Sequence, residues 1–537
     1  ISHKNKIKRF LGKAGILTGT LAAGEPCRRH RRTPPAGYIP ASDDQVGLLL
    51  KLAMAMQLRS GRRLVSPPPP APRGDLRRGR PRRIQEDDGE DRISGLPEEL
   101  VLDILGRFGS TRQAARTSAL SRRWRDLWTE LRVLDFGGLD GEAVETALAR
   151  VRPNLNRLKI RFYMEQNITH ARITSLLRAA DRLAPAELDL DLEGCSAFDD
   201  VPFELPCFGR ATSIVVFLRG LYFTVAPAGE FSSLEHLDLT FDRCHITDLT
   251  ALIPRCPRLR KLSVRSFHAW ASTNTNKIAV ESTSLEELLL SMHVNTYGPA
   301  DVAIVAPELR KFSVSYMVHN SFTVSQLSVP KLEESILEYT LGTIGVGFGY
   351  TWWLQHLRME TQCNARKVLS LMILPKNVLY NHLASRSFAQ EVALLPVNQF
   401  SVLELSITTG GHVFGPLLLH LLQIRTSLQR LKLVLKKKIY TKCSENCDCD
   451  EDGNWRNEQI SLPDLQDVEI QGFDADDDEV AFLQLVFRSA PILKRMDVQL
   501  SDQTSPSDEG CQKLCSIFEE NASVKCNVYD QSVEKTT

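Results

Sequence analysis

A short phrase with apolar residues at its first, fourth and sixth positions recurs through the middle and the end of this chain. Clear copies are "LEHLDL" at Leu234, "LRKLSV" at Leu259 and "LEELLL" at Leu285. Looser copies begin at Leu155, Pro185, Ala211, Leu309, Leu332, Leu354, Phe400, Leu428, Leu465 and Leu493. Most neighbours lie about 22 to 30 residues apart, and repetition at such an interval is typical of small stacked units. The repeat therefore limits the possible folds more than any other feature of the sequence.

Each phrase has the pattern of a short, half-buried strand. Its fourth and sixth positions alternate with polar residues, and the first apolar residue fills the core from the turn before it. A proline often precedes the phrase, as in "RCPRLRKLSV", and discourages the strand from extending backwards. The interval is that of leucine-rich repeats, so we predict a curved solenoid with a parallel sheet. An ordinary α/β domain is the alternative. We expect irregular repeats between Gln362 and Gln399, where no clean copy occurs.

Residues 91–130 carry the signals of several short helices. Pro97 followed by two glutamates predicts a helix start. The apolar residues of this first helix recur as one stripe, namely Leu100, Ile104, Leu105 and Phe108. Gly106 and Gly109 end it, and Ser110 or Thr111 can cap a second helix. The face of that second helix is predicted to be Ala115, Leu120, Trp124, Leu127 and Trp128. A module of about forty residues is too small to bury its apolar residues by itself. It therefore either packs on the next domain or presents an apolar helix face to a partner.

The stretch from Asp91 to Phe136 resembles the plant F-box motif. Leu96-Pro97 opens it, Ala115 and Ser118 lie in the middle, and "LSRRWR" closes it. In that family the motif binds a Skp-type adaptor, which ties the protein to a cullin ubiquitin ligase. The resemblance implies that the adaptor-binding residues are among Leu96, Pro97, Leu100, Ile104, Leu105, Leu120, Trp124 and Trp128. We expect partner contact from Leu120 and Trp124, whereas Trp128 either joins them or packs inward and connects the module to the repeats.

The overall charge of +1 hides a strongly basic amino-terminal segment. Residues 1–85 carry roughly +15 and the rest of the chain about −14. Richness in Pro, Gly and Arg predicts a disordered basic arm over residues 1–90. Its "RRGRPRR" is typical of a nuclear-import or nucleic-acid patch, or of a solvated tail. We expect residues 1–53 to lie outside the native protein, with a start at Met54 or Met56; a weak secretory signal is the alternative.

The twelve cysteines are scattered along a long chain, which favours a reducing compartment over a disulfide scaffold. Cys443, Cys447 and Cys449 lie in an acidic insertion at residues 441–479. Their spacing differs from that of paired zinc knuckles and no histidine follows nearby, so the sequence favours free thiols over zinc. The acidic residues beside these cysteines are Asp448, Asp450, Glu451 and Asp452. They lack the spaced ligand order of a calcium-binding loop, so we predict a solvated acidic loop. We therefore expect neither a metal nor a cofactor.

The region after Trp455 resembles the carboxy-terminal FBD-type region of plant F-box proteins, through Leu465, Val468, Ile470, Phe473 and Leu493. Its expected role is to close the open end of the repeats. A phosphate loop, a dinucleotide fingerprint and the zinc-protease motif H-E-x-x-H do not occur in the sequence, so we expect no catalytic residues and no enzymatic activity. No apolar run approaches the roughly 18 residues of a membrane span, so we expect no membrane contact.

Together these features predict an α/β chain with four parts. They are a disordered basic arm at 1–90, an F-box at 91–136, an irregular leucine-rich-repeat solenoid at 137–440, and an acidic loop with FBD-like repeats at 441–537. The expected function is to present an unknown protein substrate to a Skp-cullin-F-box ubiquitin ligase in the nucleus, the cytoplasm or both. Two alternatives stay open: a nucleic-acid-binding or nuclear scaffold protein that uses the basic arm, and an F-box protein with a non-degradative scaffold role. The acidic body disfavours a nucleic-acid partner.

Overall fold

The structure is a computed structural model. The described part of the chain has a mixed α/β fold. It covers residues 95–537 apart from 163–168, 193–201, 226–228, 271–275, 295–299, 319–321, 343–344, 362–365, 377–384, 396–398, 425–426, 438–442, 444–446, 448, 450–452, 503, 505–508 and 530–537. All of it belongs to the second of two units into which the chain divides, residues 86–537. The predicted basic arm lies outside the described residues.

Most of the described helices lie near the amino end of the described residues or in the last third of the chain. They are α1 (Glu98–Gly106), α2 (Thr111–Arg116), α3 (Gly141–Arg150), α4 (His170–Arg182), α5 (Ile246–Leu252), α6 (Phe388–Ala393), α7 (Gly415–Gln423), α8 (Asp477–Ser489) and α9 (Glu509–Glu520). Short 3-10 turns occupy Thr117–Ala119, Arg122–Trp124, Leu127–Glu130, Ile253–Arg255 and Gly453–Asn457. None of these described helices has the length and apolar character needed to cross a membrane.

Strands account for most of the remaining structure. They are β1 (Val133–Gly137), β2 (Arg157–Phe162), β3 (Glu187–Leu192), β4 (Pro202–Leu205), β5 (Ser213–Val225), β6 (His236–His245), β7 (Lys261–Trp270), β8 (Asn276–Glu281), β9 (Glu287–Val294), β10 (Ala300–Val305), β11 (Lys311–Val318), β12 (Phe322–Ser328), β13 (Glu334–Leu341), β14 (Val346–Phe348), β15 (Trp352–Thr361), β16 (Lys367–Pro375), β17 (Arg386–Ser387), β18 (Val402–Thr408), β19 (Arg430–Lys436), β20 (Asp467–Phe473), β21 (Arg495–Leu500) and β22 (Lys525–Tyr529).

Most strands pair in parallel and in the order of the sequence. The first run consists of β1, β2, β3, β5, β6, β7, β9, β11 and β13. The second run consists of β16, β18, β19, β20, β21 and β22. Equivalent positions of the phrase are register partners, as Leu237 and Leu262 show. The predicted parallel pairing of the phrases is therefore present in both runs.

The apolar residue that opens a phrase is buried in most copies. At most 2% of the surface is exposed at Leu155, Leu234, Leu259, Leu285, Leu309, Leu428 and Leu465. Just before each strand, a backbone hydrogen bond steps from one copy to the next: Arg260 N donates to Glu235 O at 2.9 Å, and Glu286 N to Arg260 O at 2.8 Å. These two features hold neighbouring copies in register because a slip would move the apolar set away from the core.

The parallel order is broken between the two runs. Strand β15 is antiparallel to both β13 and β16. The phrase at Leu354 lies in β15, so its prediction as one more parallel repeat is wrong. The connection from β13 to β15, residues 342–351, is shorter than the dozen or more residues that a parallel crossover needs. The sequence predicted irregular repeats between Gln362 and Gln399. The reversed strand is instead β15, which ends at Thr361, and β16 pairs in parallel with β18.

The layer behind the sheet differs along the chain. In the first run, β8, β10 and β12 form a separate three-stranded parallel sheet. The ring of Phe322 in β12 lies 5.1 Å from the rings of both Tyr316 and Tyr339, on the buried side of β11 and β13. In the second run, helices α7, α8 and α9 connect successive strands instead.

Candidate adaptor-docking surface

Helix α1 turns two of its apolar residues towards solvent. It begins after Pro97, whose extended backbone precedes the first turn with Glu98 and Glu99. Val101 and Leu105 are buried, whereas Leu100 is 50% exposed and Ile104 is half-buried. The predicted stripe is therefore split over two adjacent faces. Val101, which the sequence analysis did not select, takes the core position one turn before Leu105.

The stretch "LSRRWRDLW" does not continue one helix. Helix α2 ends at Arg116 and three 3-10 turns follow; the extended backbone of Ser121 interrupts helical geometry between the first and the second turn. The Ser118 hydroxyl donates to Arg125 O at 2.6 Å and holds these turns together. The prediction of one second helix with a shared face is thus wrong. Trp124 and Trp128 lie on separate turns and are 7% and 4% exposed.

The helical module is fixed to the first run of the sheet. Ser110 caps α2, and the hydroxyl of Thr111 accepts a hydrogen bond from the backbone of Asp135 in β1 at 2.7 Å. The guanidinium of Arg150, at the end of α3, lies 5.5 Å from the centre of the Trp128 ring. Trp128 therefore packs inward and connects the module to the structure that follows it, the second of the two alternatives for this residue.

The predicted adaptor-binding residues separate into an accessible and a buried set. Leu105, Trp124 and Trp128 are buried. The less buried set, named here the docking face, comprises Leu96, Pro97, Leu100, Ile104 and Leu120; Pro97 and Leu100 are exposed, and the other three are partly buried. Arg123 donates a hydrogen bond to the carbonyl oxygen of Leu96, which holds the closing segment of the motif beside the start of α1. That any of these residues binds an adaptor stays a prediction.

Comparison with known proteins gives this module a family. The F-box domain model matches residues 93–136. The meiotic F-box protein MOF of Oryza sativa subsp. japonica is 32% identical over 201 residues, which cover 32% of this chain and 41% of the rice protein. An FBD-associated F-box protein of Arabidopsis thaliana is 25% identical over 421 residues, 76% of this chain and 99% of that protein. An F-box/FBD/LRR-repeat protein of the same plant is 26% identical over 257 residues, 44% of this chain and 55% of that protein.

The chain thus contains an F-box domain and is similar to plant F-box proteins with leucine-rich repeats and an FBD region. It spans less than half the length of the rice protein that it matches. The F-box is the part that a family model identifies, and it coincides with the helical module up to the buried Phe136 of β1.

The residues that suggested an FBD region are all buried. Leu465, Val468, Ile470, Phe473 and Leu493 are at most 7% exposed, and they belong to β20 and to the turns before β20 and β21. The acids of "DADDDE", at the end of the acidic insertion, lie at or just before the start of α8. Asp476 caps α8 by accepting from Glu479 N at 2.9 Å, and further acids lie in the first turn, where the helix dipole favours negative charge.

A cleft of about 360 Å³ lies between the F-box helices and the first strands. Its lining includes Leu105, Phe108, Thr111, Val133, Asp135 and Arg161, and none of its described lining residues is a cysteine or a histidine. The Arg161 guanidinium donates to the Asp135 carboxylate at 2.8 Å, so the two charges compensate each other. The described lining thus combines apolar side chains with hydroxyl and charged ones, among them Ser110 and Lys159.

The fold brings together four side chains that the sequence analysis left apart. Cys443, Cys447, Cys449 and His412 place one ligand atom each within 4.8 Å of the others. Burial raises the pKa of Cys443 to about 12 and lowers the pKa of His412 below its ordinary value, so His412 is neutral near pH 7. No histidine follows the cysteines in the sequence. The histidine instead comes from the turn after β18, on the far side of α7 and β19.

Proposed function

We propose that this protein is the substrate-recognition subunit of a Skp-cullin-F-box ubiquitin ligase. The F-box binds a Skp-type adaptor and thereby a cullin, and the leucine-rich repeats bind a target protein. The protein acts by raising the local concentration of a target lysine near the ubiquitin-charged enzyme and contributes no catalytic residue. The observation that carries the proposal is the apolar docking face, left accessible on a module that is otherwise anchored to the sheet.

The docking face has the chemistry of a helix-in-groove contact. Leu96, Leu100 and Ile104 follow one another at four-residue spacing, which places them along one side of α1 and its entry. Leu100 is half exposed although most leucines that the structure describes are buried. A partly exposed apolar row of this kind is stabilised when a partner covers it. Leu105, Trp124 and Trp128 contribute indirectly, because they hold α1 and the 3-10 turns in place.

We propose that the stacked repeats form an irregular solenoid and that the polar face of the sheet selects the target. Many charges on that face are already paired across neighbouring strands, as in Lys261–Glu287 at 3.0 Å and Lys311–Glu334 at 2.7 Å. A more neutral row crosses the middle strands. It includes Ser263, Leu289 and Ser313, which are joined by the strand register and adjoin Asp238 of β6. Such a row is the part of the face that a target can cover at low desolvation cost.

The adaptor proposal is tested by binding of a Skp-type adaptor to the full chain. Leu100→Asp places a charge in the middle of the docking face, and we expect affinity to fall roughly thirty-fold, as for loss of a contact worth about 2 kcal/mol. Leu394→Asp is the matched control, because Leu394 follows α6 and is 42% exposed. Isothermal titration calorimetry measures both, and circular dichroism verifies that each variant folds.

Unchanged affinity in Leu100→Asp and in Ile104→Asp would reject the docking face. Equal loss in the Leu394→Asp control would point to a general effect of charge. A chain that binds the adaptor but never promotes target ubiquitination would favour the non-degradative scaffold role. The nucleic-acid alternative depends on residues 57–85, which lie outside the described structure, and salt-sensitive binding by that segment would support it.

A further inference from the structure

We propose that His412, Cys443, Cys447 and Cys449 form a structural zinc site. Their ligand atoms all lie within 4.8 Å of one another. Cys443 Sγ is 3.6 Å from Cys449 Sγ, and Cys447 Sγ is 3.3 Å from His412 Nδ1. All four are at least partly shielded from solvent, and Cys449 is buried at 8% exposure.

These separations are close to the edges of a zinc tetrahedron. With Zn–S near 2.3 Å and Zn–N near 2.0–2.1 Å, tetrahedral angles put two sulfurs about 3.8 Å apart and a sulfur and a nitrogen about 3.6 Å apart. The observed 3.6 Å and 3.3 Å differ from these by a few tenths of an ångström. A Cys443–Cys449 disulfide would instead need an S–S distance of about 2.05 Å.

The donor set also fits zinc chemically. Three thiolates and one neutral imidazole are the ligands of a Cys3His site, and thiolates disfavour hard cations such as calcium and magnesium. Four protein ligands complete the tetrahedron and leave no position for a reacting water, so the site is structural in kind. Soft sulfur ligands also exclude the calcium alternative that the neighbouring acids suggested.

The fold supplies the support that a metal site needs around its ligands. Gly410 and Gly411 have φ values of +56° and +82°, and their tight turn carries His412 from the end of β18 towards Cys443. Thr409 N donates to Lys436 O at 3.0 Å, which ties this turn to the end of β19. The backbone N–H of Val413 donates a hydrogen bond to the Cys449 sulfur. Hydrogen bonds of this type orient and stabilise metal ligands.

The site would fasten the long connection between β19 and β20. That connection, residues 437–466, contains no α-helix or strand among its described residues, and a 3-10 turn lies at Gly453–Asn457. Trp455 in this turn is 1% exposed and lies against Gly415, where any side chain would overlap the indole ring. The indole thus fixes the connection on one side of the cysteines, and zinc would fix it at the cysteines themselves. Long connections without helices or strands rarely order without such a device.

Metal analysis and cobalt spectroscopy of the full chain test the site. The protein is purified with a reductant and without chelators. We expect inductively coupled plasma mass spectrometry to find one zinc ion per chain. Replacement by Co²⁺ should give the strong visible ligand-field bands of tetrahedral cobalt and near-ultraviolet sulfur-to-cobalt charge-transfer bands. Cys447→Ser should lose both the zinc and the charge-transfer intensity of the third thiolate. Cys515→Ser, which changes an exposed cysteine in α9, should keep both.

Wild-type protein without zinc and without tetrahedral cobalt bands would overturn the assignment, even if Cys447→Ser does not fold. So would a Cys443–Cys449 disulfide detected by differential alkylation of protein isolated under the same conditions. Zinc that survives in Cys447→Ser and in Cys443→Ser would place the metal elsewhere. Hydrogen exchange gives an independent measure: chelation should speed exchange in β18 to β20 and leave β2 to β7 unchanged, because stacked units stabilise mainly their neighbours.

Discussion

The two parallel runs are built from the same repeated strand phrase. They differ in the layer that packs behind the sheet and in the elements found at the ends of the sheet. The first run starts at the F-box and, over β7 to β13, returns through the strands β8, β10 and β12. The second run returns through α7, α8 and α9, and it holds the cysteine and histidine cluster. The phrase therefore determines the sheet, while the returning segment determines the layer behind it.

The composition of the returning segments explains this difference. "NKIAVE" in β8 and "ADVAIV" in β10 contain β-branched residues, whose restricted side chains favour strands. "GPLLLHLLQ" in α7 is rich in unbranched leucine and has a proline in its first turn, which favours a helix. The β7 to β13 part of the first run and the second run thus stabilise the same sheet from behind with different local structures.

The largest expected effect comes from emptying a core position in either run. Leu259→Ala in the first run and Leu465→Ala in the second each remove a fully buried leucine from the opening position of a phrase. We expect each to lower the free energy of unfolding by about 2–5 kcal/mol. Hydrogen exchange should accelerate near each substitution, in β6 to β9 for Leu259→Ala and in β19 to β21 for Leu465→Ala. Uniform acceleration over both runs would show that β15 does not separate them into independent units.

A smaller effect is expected from one glycine in each run. Gly472, at a register shift in β20, has φ +75°, and a Cβ there would overlap the carbonyl oxygen of Leu435 in β19. Gly138, just after β1, has φ +69°, but no atom lies within 4 Å of a Cβ built there. Gly138→Ala should therefore cost about 1–2 kcal/mol from backbone strain alone.

Gly472→Ala adds steric overlap with a backbone atom, and we expect a total cost of roughly 2–4 kcal/mol. Thermal and denaturant unfolding measure the difference between the two variants. Equal costs would mean that β19 and β20 can separate locally to accept the methyl group, and the second run would then be less tightly packed than its geometry indicates.

Sequence alone predicted the elements that depend on local pattern. The phrase fixed most strands, and the burial of its opening leucines followed from hydrophobic periodicity. The predictions that were wrong concerned features that depend on chain geometry. The reversal at β15 follows from a short connection after β13, and the break at Ser121 follows from one extended backbone in a segment with helical spacing. His412 was missed because β19 and α7 separate it in sequence from the cysteines that the fold places beside it.

The smallest expected effect is a pH dependence that originates in the second run. Burial raises the pKa of Glu479 from 4.5 to about 8, and the neighbouring Asp476 adds to the shift while Lys437 opposes it. Between these values the folded protein keeps a proton that the unfolded chain has released. Unfolding therefore releases a proton, and the free energy of unfolding falls as pH rises from about 5 to 8.

Glu479→Gln removes this titration while keeping a side chain that can accept the hydrogen bond from Asp474 N, 2.6 Å long in the parent protein. We expect the variant to lose less stability than the parent protein between pH 5 and pH 8 in urea titrations. Glu391, buried beside Tyr339 and Arg386, also has a raised pKa, mainly through burial, so Glu391→Gln should change the slope in the same direction. A slope that neither substitution alters would show that both carboxylates are ionised in the folded state, with Lys437 and Arg386 outweighing burial.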